Sequence, residues 1–506
     1  MLDAGVCARA LGARDARFDG LFFVGITSTR IYCRPVCPAR VSYPDRRRFF
    51  ESAAAAEGAG FRPCLRCRPE LAPGRALVDA VPRLAHVAAH RIAAGALNEC
   101  SVADLANDLG VSERHLRRAL EREVGVSPLE LAQTHRLLLA KRLLVDTALP
   151  VTRIAYASGF QSLRRFNAAF NERYRMSPSA LRRGHLSELL APARLAASDR
   201  PPAPLRLTLA YREPLAWDAL LAVLRRDALP RAEVVNAESY GRTVRLGERV
   251  GTVFVRRDAP KSGRTAQPSL TVDVTPALLP ALMPLLARLR HLFDLDAEPT
   301  VIDAHLEQGG LGALVADRPG LRVPGAFDGF EVALALLVRS GSRSNTAARE
   351  TMLRVVEVLG VPIETGDPAL THLAPTAARV AEAGTSTLAM TGMAERIASA
   401  IVRVATMIVE GSVHLEPGSD VNATHRALMT VDGVTGATAA AIIARALQWP
   451  DAFAASDVRL RRAAGARSIS ELVARAEAWR PWRAYAAMHL LLSPRHGEYR
   501  RNQLRW

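Results

Sequence analysis

Two cysteine pairs near the start of the chain restrict its possible folds more than any other feature. IYCRPVCPAR contains Cys33 and Cys37, and GFRPCLRCRPE contains Cys64 and Cys67. Four thiolates in two close pairs suit tetrahedral zinc. Outside oxidising compartments, clustered cysteines are more often metal ligands than disulfides. The spacing therefore predicts one Zn2+ in a four-cysteine site. The alternative is a closed zinc site that only holds a small domain together.

The charge balance predicts a polyanionic partner. The chain has 506 residues, enough for roughly three domains, and its 67 Lys+Arg against 50 Asp+Glu leave a net charge of +17. A charge of this sign steers a protein towards nucleic acid. The first residues show no export signal, and no apolar run reaches the length of a membrane span. We therefore expect a cytoplasmic, nucleoid-associated protein that binds double-stranded DNA and no membrane.

The cysteine segments resemble a known DNA repair module. RFDGLFFVGITSTRIYCRPVCPAR followed by FFESAAAAEGAGFRPCLRCRPE is similar to the N-terminal domain of the Ada adaptive-response proteins, over residues 1–75. The resemblance implies that Cys33 is both zinc ligand and acceptor of a methyl group from a DNA phosphotriester. The thioether product carries one negative charge fewer, which eases approach to phosphates. Arg34 and neighbouring arginines are predicted to contact DNA. In an alternative interpretation the zinc domain is inert.

An internal repeat follows the cysteine region. VADLANDLGVSERHLRRAL at 102–120 and VTRIAYASGFQSLRRFNAAF at 151–170 share apolar, Ala and Gly positions in the same order. Each copy predicts a helix, a glycine turn and a second helix. Two hairpins of a helical repeat protein are the alternative. The polar residues at the start of each second helix are predicted to meet the major groove: Arg114, His115, Arg117, Arg118, Arg164, Arg165 and Asn167.

Residues 83–184 resemble the tandem helix-turn-helix domain of AraC-type regulators. That resemblance implies promoter DNA as a ligand and RNA polymerase as a partner. The Pro, Ala and Ser content of APARLAASDRPPAPL predicts a linker over 185–204. Short alternating strands such as LRLTLAY and PSLTVDV then predict an α+β domain over 205–315.

The last part of the chain predicts a helix-hairpin-helix. In LMTVDGVTGATAAAI at 428–442, a tight glycine turn between two helices offers backbone amides to a DNA phosphate. We expect contacts from Gly433, Thr435 and Gly436. Asp457 follows in DAFAASDVRLRRA. Residues 205–497 resemble AlkA-type 3-methyladenine DNA glycosylases, with a TBP-like α+β domain followed by a helix-hairpin-helix domain over 316–497.

The resemblance assigns Asp457 a catalytic role. It implies that Asp457 stabilises an oxocarbenium-like sugar while a flipped alkylated purine leaves. Bifunctional relatives need a hairpin lysine, and Ala437 stands at that place, so we expect a monofunctional N-glycosylase without lyase chemistry. An aspartate in such a position is otherwise an N-cap or a surface ion-pair partner.

Several positions depart from the glycosylase pattern. Asp432-Gly433-Val434-Thr435 replaces the usual Pro-Gly-Val-Gly, Arg-Ser-Gly-Ser-Arg at 339–343 replaces Gly-Gln-Gln-Val-Ser, and two pocket aromatics are replaced by Ala437 and Leu491. The remaining candidates for the base pocket, which could equally pack a helix core, are Trp479, Trp482 and Tyr485.

Together these features predict a monomeric, multidomain, mainly α protein. It contains a small zinc-bound α/β domain, an all-α tandem helix-turn-helix domain, an α+β domain and an all-α glycosylase domain. We expect it to activate transcription after methylation and to excise alkylated purines. The competing hypothesis is a methylation-switched transcription factor whose glycosylase half binds DNA without turnover.

Overall fold

The computed structural model describes residues 3–39, 43–73, 83–189, 204–258 and 268–493. Much of the expected linker at 185–204 lies outside these ranges, although a helix continues as far as Leu189. No helix in these ranges is both long and apolar enough to cross a bilayer.

The cysteine region forms a small mixed sheet with two helices. The sheet order is β3-β1-β2-β4, with β2 and β4 parallel and the other pairs antiparallel. Ser52 caps the second helix through the Ala55 amide. The elements are α1 (Ala4–Ala13), β1 (Phe23–Ile26), β2 (Ile31–Cys33), β3 (Arg47–Phe50), α2 (Ala53–Gly58) and β4 (Arg62–Pro63).

Seven helices follow, and they contain the sequence repeat. Gly110 and Gly159, the equivalent glycines of the two copies, both have positive φ, +68° and +82°, a conformation that glycine adopts without steric cost. The helices are α3 (Arg83–Ala93), α4 (Val102–Asp108), α5 (Glu113–Glu123), α6 (Pro128–Asp146), α7 (Val151–Ala157), α8 (Leu163–Tyr174) and α9 (Pro178–Leu189).

The next unit is a five-stranded antiparallel sheet covered by helices. Its strand order is β5-β9-β8-β7-β6. The strands are β5 (Leu205–Ala210), β6 (Glu233–Val235), β7 (Ser239–Leu246), β8 (Arg249–Arg257) and β9 (Ser269–Val274). The helices are α10 (Trp217–Asp227), α11 (Leu282–Leu292), α12 (Pro299–Leu306) and α13 (Gly312–Asp317).

The rest of the described chain, up to residue 493, is helical apart from one pair of two-residue strands, β10 (Val361–Pro362) and β11 (His372–Leu373). Its helices are α14 (Gly329–Ser340), α15 (Asn345–Leu359), α16 (Ala377–Ala389), α17 (Glu395–Val409), α18 (Val421–Met429), α19 (Gly436–Ala446), α20 (Val458–Ala463), α21 (Ile469–Ala476) and α22 (Arg483–Leu491). The expected fold class, multidomain and mainly α, is confirmed.

One hydrophobic core joins the second helical repeat to the five-stranded sheet. Ile154, Phe166 and Phe170 belong to the same buried cluster as Leu207 and Trp217. Polar contacts join other parts of the chain to the sheet unit, since Arg142 of α6 donates to the Thr208 carbonyl and Arg212 donates to the carbonyl of Asp19 in the cysteine region. The second helical repeat and the five-stranded sheet therefore pack as parts of one body.

Candidate functional site

The ends of two neighbouring strands bring the four cysteines together. Strands β2 and β4 run parallel with Tyr32 opposite Pro63, so Cys33 and Cys64 follow at the same edge of the sheet. A turn after each strand returns the second cysteine, Cys37 or Cys67. All four Sγ atoms lie within 4.8 Å of one another, and all four residues are buried.

The cluster has the geometry and chemistry of a metal site. Tetrahedral zinc–thiolate bonds of about 2.3 Å place sulfurs roughly 3.8 Å apart, which this arrangement accommodates. Without a cation the thiols compete for protons. Hydrogen bonds with Cys37, Cys64 and Cys67 raise the pKa of Cys33, while a hydrogen bond from Cys33 lowers the pKa of Cys37 to about 7. A divalent cation removes that conflict because it stabilises all four thiolates.

Arg34 does not lie where a DNA contact requires it. The residue is only 4% exposed, and its Nε donates to Asp19 at 2.8 Å while Nη1 donates to the Cys67 carbonyl at 3.1 Å. Its backbone N–H points to the Cys67 sulfur at 3.4 Å. The structure therefore corrects the expectation that Arg34 contacts DNA. Arg34 instead stabilises the loop that carries Cys67, and Asp19 compensates its buried charge.

The second helices of both repeats present their polar residues to solvent. The predicted DNA-contacting side chains are exposed at four positions of α5 and two of α8, and Asn167 of α8 is half-buried. The exposed residues are Arg114, His115, Arg117 and Arg118 on α5, and Arg164 and Arg165 on α8. On the opposite face of each second helix, the equivalent residues Leu116 and Phe166 are both fully buried. Each second helix thus shows one apolar face to the core and one basic face outward.

The predicted hairpin lies between α18 and α19. Gly433 has φ +96°, and a Cβ there would meet the Ala400 Cβ at 3.0 Å and the Arg396 carbonyl at 3.1 Å. Thr435 caps α19 by accepting from the Thr438 amide at 3.1 Å. Gly436 is the first residue of that helix. Asp432 is 81% exposed and pairs with Arg396 at 2.9 Å, so the unexpected carboxylate has a cationic partner.

Asp457 stands at the edge of a cavity of about 690 Å3 beside this hairpin, which Thr435, Ala437 and Leu491 also line. Its Oδ1 accepts from the Arg459 amide at 2.8 Å, and Oδ2 pairs with the Arg459 guanidinium at 2.9 Å. Burial would raise the pKa of Asp457, but hydrogen bonding and charge from Arg459 outweigh burial and lower it. The carboxylate is therefore ionised at neutral pH, and it is at once an N-cap and a cavity-lining anion.

The three aromatic candidates for the base pocket lie elsewhere. Trp479, Trp482 and Tyr485 are at most 5% exposed and belong to one buried cluster. Trp479 donates to the Gly309 carbonyl at 3.0 Å, and the Tyr485 hydroxyl donates to Asp294 at 2.6 Å. None of the three is among the residues that line the Asp457 cavity. The structure thus corrects this expectation, because these aromatics pack the core of the helical unit.

Sequence reasoning missed most of the charged residues around the cavity. Arg226, Arg339 and Arg445 line it, and Asp227 pairs with all three. Arg339 is the first residue of the Arg-Ser-Gly-Ser-Arg segment that differs from the glycosylase pattern. That difference could have drawn attention to Arg339 from the sequence. Asp227 and Arg445 are separated by 218 positions, and no local pattern could have joined them.

Comparison with protein families gives three matches along the chain. Residues 6–70 match the metal binding domain of Ada, residues 105–184 match a helix-turn-helix domain, and residues 206–328 match the AlkA N-terminal domain.

Individual relatives agree with these matches. A probable bifunctional transcriptional activator/DNA repair enzyme AlkA of Mycobacterium tuberculosis is 35% identical over 495 residues, which cover 97% of this chain and 96% of the relative. DNA-3-methyladenine glycosylase 2 of Escherichia coli is 29% identical over 283 residues, 56% of this chain and 95% of that protein. The Escherichia coli bifunctional transcriptional activator/DNA repair enzyme Ada is 34% identical over 119 residues, 23% of this chain and 31% of its own length.

Proposed function

Because this chain belongs to the family of AlkA-type bifunctional transcriptional activators and DNA repair enzymes, we propose that three sites divide its work. The protein combines an Ada-type methyl-acceptor domain that binds one metal ion, a helix-turn-helix region and a 3-methyladenine glycosylase domain. We assign these activities to residues 1–75, 83–184 and 205–497, with 185–204 as a linker.

In the first site, Cys33 accepts the methyl group. Its sulfur attacks the methyl carbon of a phosphotriester, so that an S–C bond forms and the C–O bond breaks. The phosphodiester leaves with the electron pair and regains its negative charge, while Cys33 becomes a neutral thioether. Zinc held by Cys33, Cys37, Cys64 and Cys67 would keep the attacking sulfur deprotonated. The close cluster of four buried sulfurs supports this assignment.

Mass spectrometry tests the acceptor. Incubation with DNA containing methyl phosphotriesters should add one methyl group to a peptide that contains Cys33, and Cys33→Ser should prevent it. Cys100→Ser is the matched control, since Cys100 lies outside the cluster and contacts the Ala96 carbonyl. A methyl group found on Cys100 or Cys7 instead would refute the assignment.

In the second site, the basic faces of α5 and α8 bind promoter DNA. The exposed arginines on both helices support this role, because cationic side chains at the start of a recognition helix meet both phosphates and base edges. Methylation removes a negative charge near the DNA and should tighten promoter binding. We further propose that the protein acts in the cytoplasm as a monomer that contacts RNA polymerase.

In the third site, Asp457 stabilises the positive sugar formed when a base leaves. The observation that carries this assignment is its position, because its carboxylate is 12% exposed and lies at the edge of a cavity beside the predicted hairpin. A flipped nucleotide could place its C1′ near this charge. Lys141 and Lys261 are the only lysines of the chain, and the described residues that line the cavity include no lysine. The product should therefore be an intact abasic site, without strand cleavage.

A second candidate function is favoured by the ion pair at Asp457. Because Arg459 already neutralises this carboxylate, the glycosylase half could serve as a DNA-binding scaffold without turnover. Release of alkylated purines from methylated duplex DNA by excess protein separates the two functions. Release with no borohydride-trapped adduct supports the glycosylase, and no release at any protein concentration supports the scaffold.

A further inference from the structure

A buried carboxylate stands behind the wall of the cavity beside Asp457. Among the described residues that line this cavity, the charged ones are Arg226, Arg339, Arg445, Arg459 and Asp457. Asp457 pairs with Arg459. The other three arginines converge on Asp227, whose side chain is 3% exposed and which is not itself among the lining residues. Asp227 and these three arginines, the Asp227 cluster, carry a net charge of +2.

Both oxygens of Asp227 are used by its partners. Its Oδ1 accepts from Arg226 Nε at 2.9 Å and lies 3.2 Å from Arg339 Nη1. Its Oδ2 accepts from Arg226 Nη2 at 3.1 Å and from Arg445 Nη1 at 2.7 Å. Burial raises the pKa of Asp227, but the charges of its arginine partners outweigh burial and hold the pKa at about 2. The carboxylate is therefore ionised at neutral pH.

The Asp227 cluster joins the sheet unit to two helices of the helical unit. Asp227 is the last residue of α10, Arg339 lies in the last turn of α14, and Arg445 lies in the last turn of α19. Arg445 also donates to the carbonyls of Pro324 and Gly325. Among the described residues, Asp227 is the one ion-pair or hydrogen-bond partner of the Arg339 guanidinium. Without this carboxylate, Arg339 would remain unpaired in the cavity wall.

The excision reaction is sensitive to the charge of this wall. An N-alkylated purine enters the cavity as a cation. When its C1′–N9 bond breaks, the electron pair goes to the base, which leaves as a neutral molecule, and the positive charge passes to the sugar. Water then adds to C1′ and gives up a proton. A guanidinium in the wall opposes the positive charge until that addition, and the opposition is strong where water is excluded.

We propose that Asp227 is a positioning residue for excision, which offsets the charge of the arginines in the cavity wall and holds Arg339 in that wall. Asp227 acts through its partners and does not line the cavity, so it is not a catalytic residue. The proposal rests on the proposed glycosylase function and assigns part of it to a residue of the sheet unit, outside the helices that carry the hairpin and Asp457.

The test compares four proteins whose Asp227 clusters differ in charge. The net charge is +2 in the wild type. Asp227→Asn makes the cluster more positive by one unit, Arg339→Met makes it less positive by one unit, and the double variant restores the wild-type value. Asparagine keeps the size of the side chain and one oxygen acceptor, so the first variant changes mainly charge.

Single-turnover release of cationic 7-methylguanine, placed opposite cytosine in a duplex, provides the measurement. The full-length proteins are used in excess over DNA. Asp227→Asn should slow release roughly tenfold or more, because one more uncompensated cation opposes the base and the sugar. Arg339→Met should speed release. The double variant should regain the wild-type rate to within about threefold.

The double variant separates charge from structure. Asp227→Asn should lower stability, because buried arginines lose their partner, so rates are compared at a temperature at which all four proteins are folded by circular dichroism. If the cluster served only to hold helices together, removing two of its members would make the double variant slower than either single variant.

Asp273→Asn is the matched control. Asp273 of β9 also pairs with two arginines, Arg206 and Arg256, both at 2.7 Å, and it is not among the described residues that line the cavity. Its loss should lower stability without changing the rate of release.

The outcomes distinguish this proposal from the function on which it rests. The proposal is overturned if Asp227→Asn is as fast as the wild type, if Arg339→Met is slower, or if the double variant is no faster than Asp227→Asn. Each of these results would leave the glycosylase function intact. Absence of release by the wild type would refute the glycosylase function itself and, with it, this proposal.

Discussion

Asp457 combines two roles that sequence reasoning treated as alternatives. It accepts the amides of Arg459 and Leu460 and so begins helix α20, yet it also lines the cavity beside the hairpin. An N-cap fixes the position of its carboxylate because both oxygens have defined partners. The capping contacts therefore hold the charge at the cavity edge, where the proposed role requires it.

Asp457→Asn should separate structure from chemistry. Asparagine caps helices as well as aspartate, so the fold and DNA affinity should be kept. The single-turnover rate of 7-methylguanine release should fall roughly a hundredfold or more, about 3 kcal/mol, because the charge at the developing cation is lost. Asp420→Asn is the matched control, since Asp420 caps α18 with the same geometry away from the cavity. Equal rates for both variants would contradict a catalytic Asp457.

Arg459 should set the acid limit of the reaction. It supplies the main influence that lowers the pKa of Asp457, against burial, which raises it. With Arg459→Met, the hydrogen bond and charge of the guanidinium are lost while burial remains, so the pKa of Asp457 should rise. Excision requires the ionised form, so the acid limb of the rate profile should move to higher pH. Single-turnover rates measured against pH, scaled to each plateau, provide the check. An unmoved acid limb would show that Arg459 does not control this group.

At the level of elements, the hairpin between α18 and α19 forms a tight turn although its sequence differs from the expected Pro-Gly-Val-Gly. Gly433 retains the positive φ and the close approach to Ala400 that the turn requires. Asp432 replaces a proline, but Arg396 balances its charge. Thr435 replaces a glycine and caps α19 through its hydroxyl. The turn is therefore tight and capped, although two of its four residues differ from the expected pattern.

Gly433→Ala should therefore weaken both stability and DNA binding. Alanine is strained at the positive φ of this position, and its Cβ would lie 3.0 Å from the Ala400 Cβ and 3.1 Å from the Arg396 carbonyl. Together these effects should lower the free energy of unfolding by about 1–3 kcal/mol. Gly411→Ala is the control, with φ +72° and nothing within 4 Å of a new Cβ, and should cost less. Urea unfolding and DNA titration measure the two effects. An equal loss of stability in Gly411→Ala and Gly433→Ala would show that the close contacts at the hairpin do not add to the destabilisation.

The elements that sequence patterns predicted are those with local signals. Leu116 and Phe166 are equivalent buried positions in both repeats because helical periodicity fixes the core face. Spacing alone could not tell whether Trp479 and Tyr485 face a cavity or a core, since aromatic side chains occur in both places. The cluster of Asp227 with Arg339 and Arg445 was out of reach, because it joins α10, α14 and α19 through long-range packing.

At the level of the whole molecule, buried charged residues connect the metal site to α6 and α8 of the helix-turn-helix region. Glu57 is fully buried and accepts from Tyr32, Thr134 and Arg173, at 2.9, 2.9 and 2.6 Å. Lys141 of α6 donates to the Cys64 carbonyl at 3.1 Å and to Glu70 at 2.6 Å. A change at the metal loop thus reaches the long helix between the two repeats directly.

Loss of the metal should therefore impair promoter binding. Cys64→Ser should abolish stoichiometric zinc, and disorder of its loop would remove partners from the buried Lys141, at a cost of about 3–5 kcal/mol. Metal analysis, thermal unfolding and titration with promoter DNA measure the outcome. Cys100→Ser should keep zinc, stability and affinity. A zinc-free Cys64→Ser protein with unchanged affinity would show that the two regions are independent.

The core shared by the second repeat and the five-stranded sheet has a consequence for how lesions are found. A flexible tether would let the base cavity sample any site within its reach, at an effective concentration set by linker length. Here Phe166 and Trp217 belong to the same buried cluster, so the spacing between α8, the helix proposed to bind promoter DNA, and the cavity is fixed. A molecule bound at a promoter would inspect bases at one distance and orientation only. Lesions elsewhere in the genome would then be found mainly by molecules that have dissociated from the promoter.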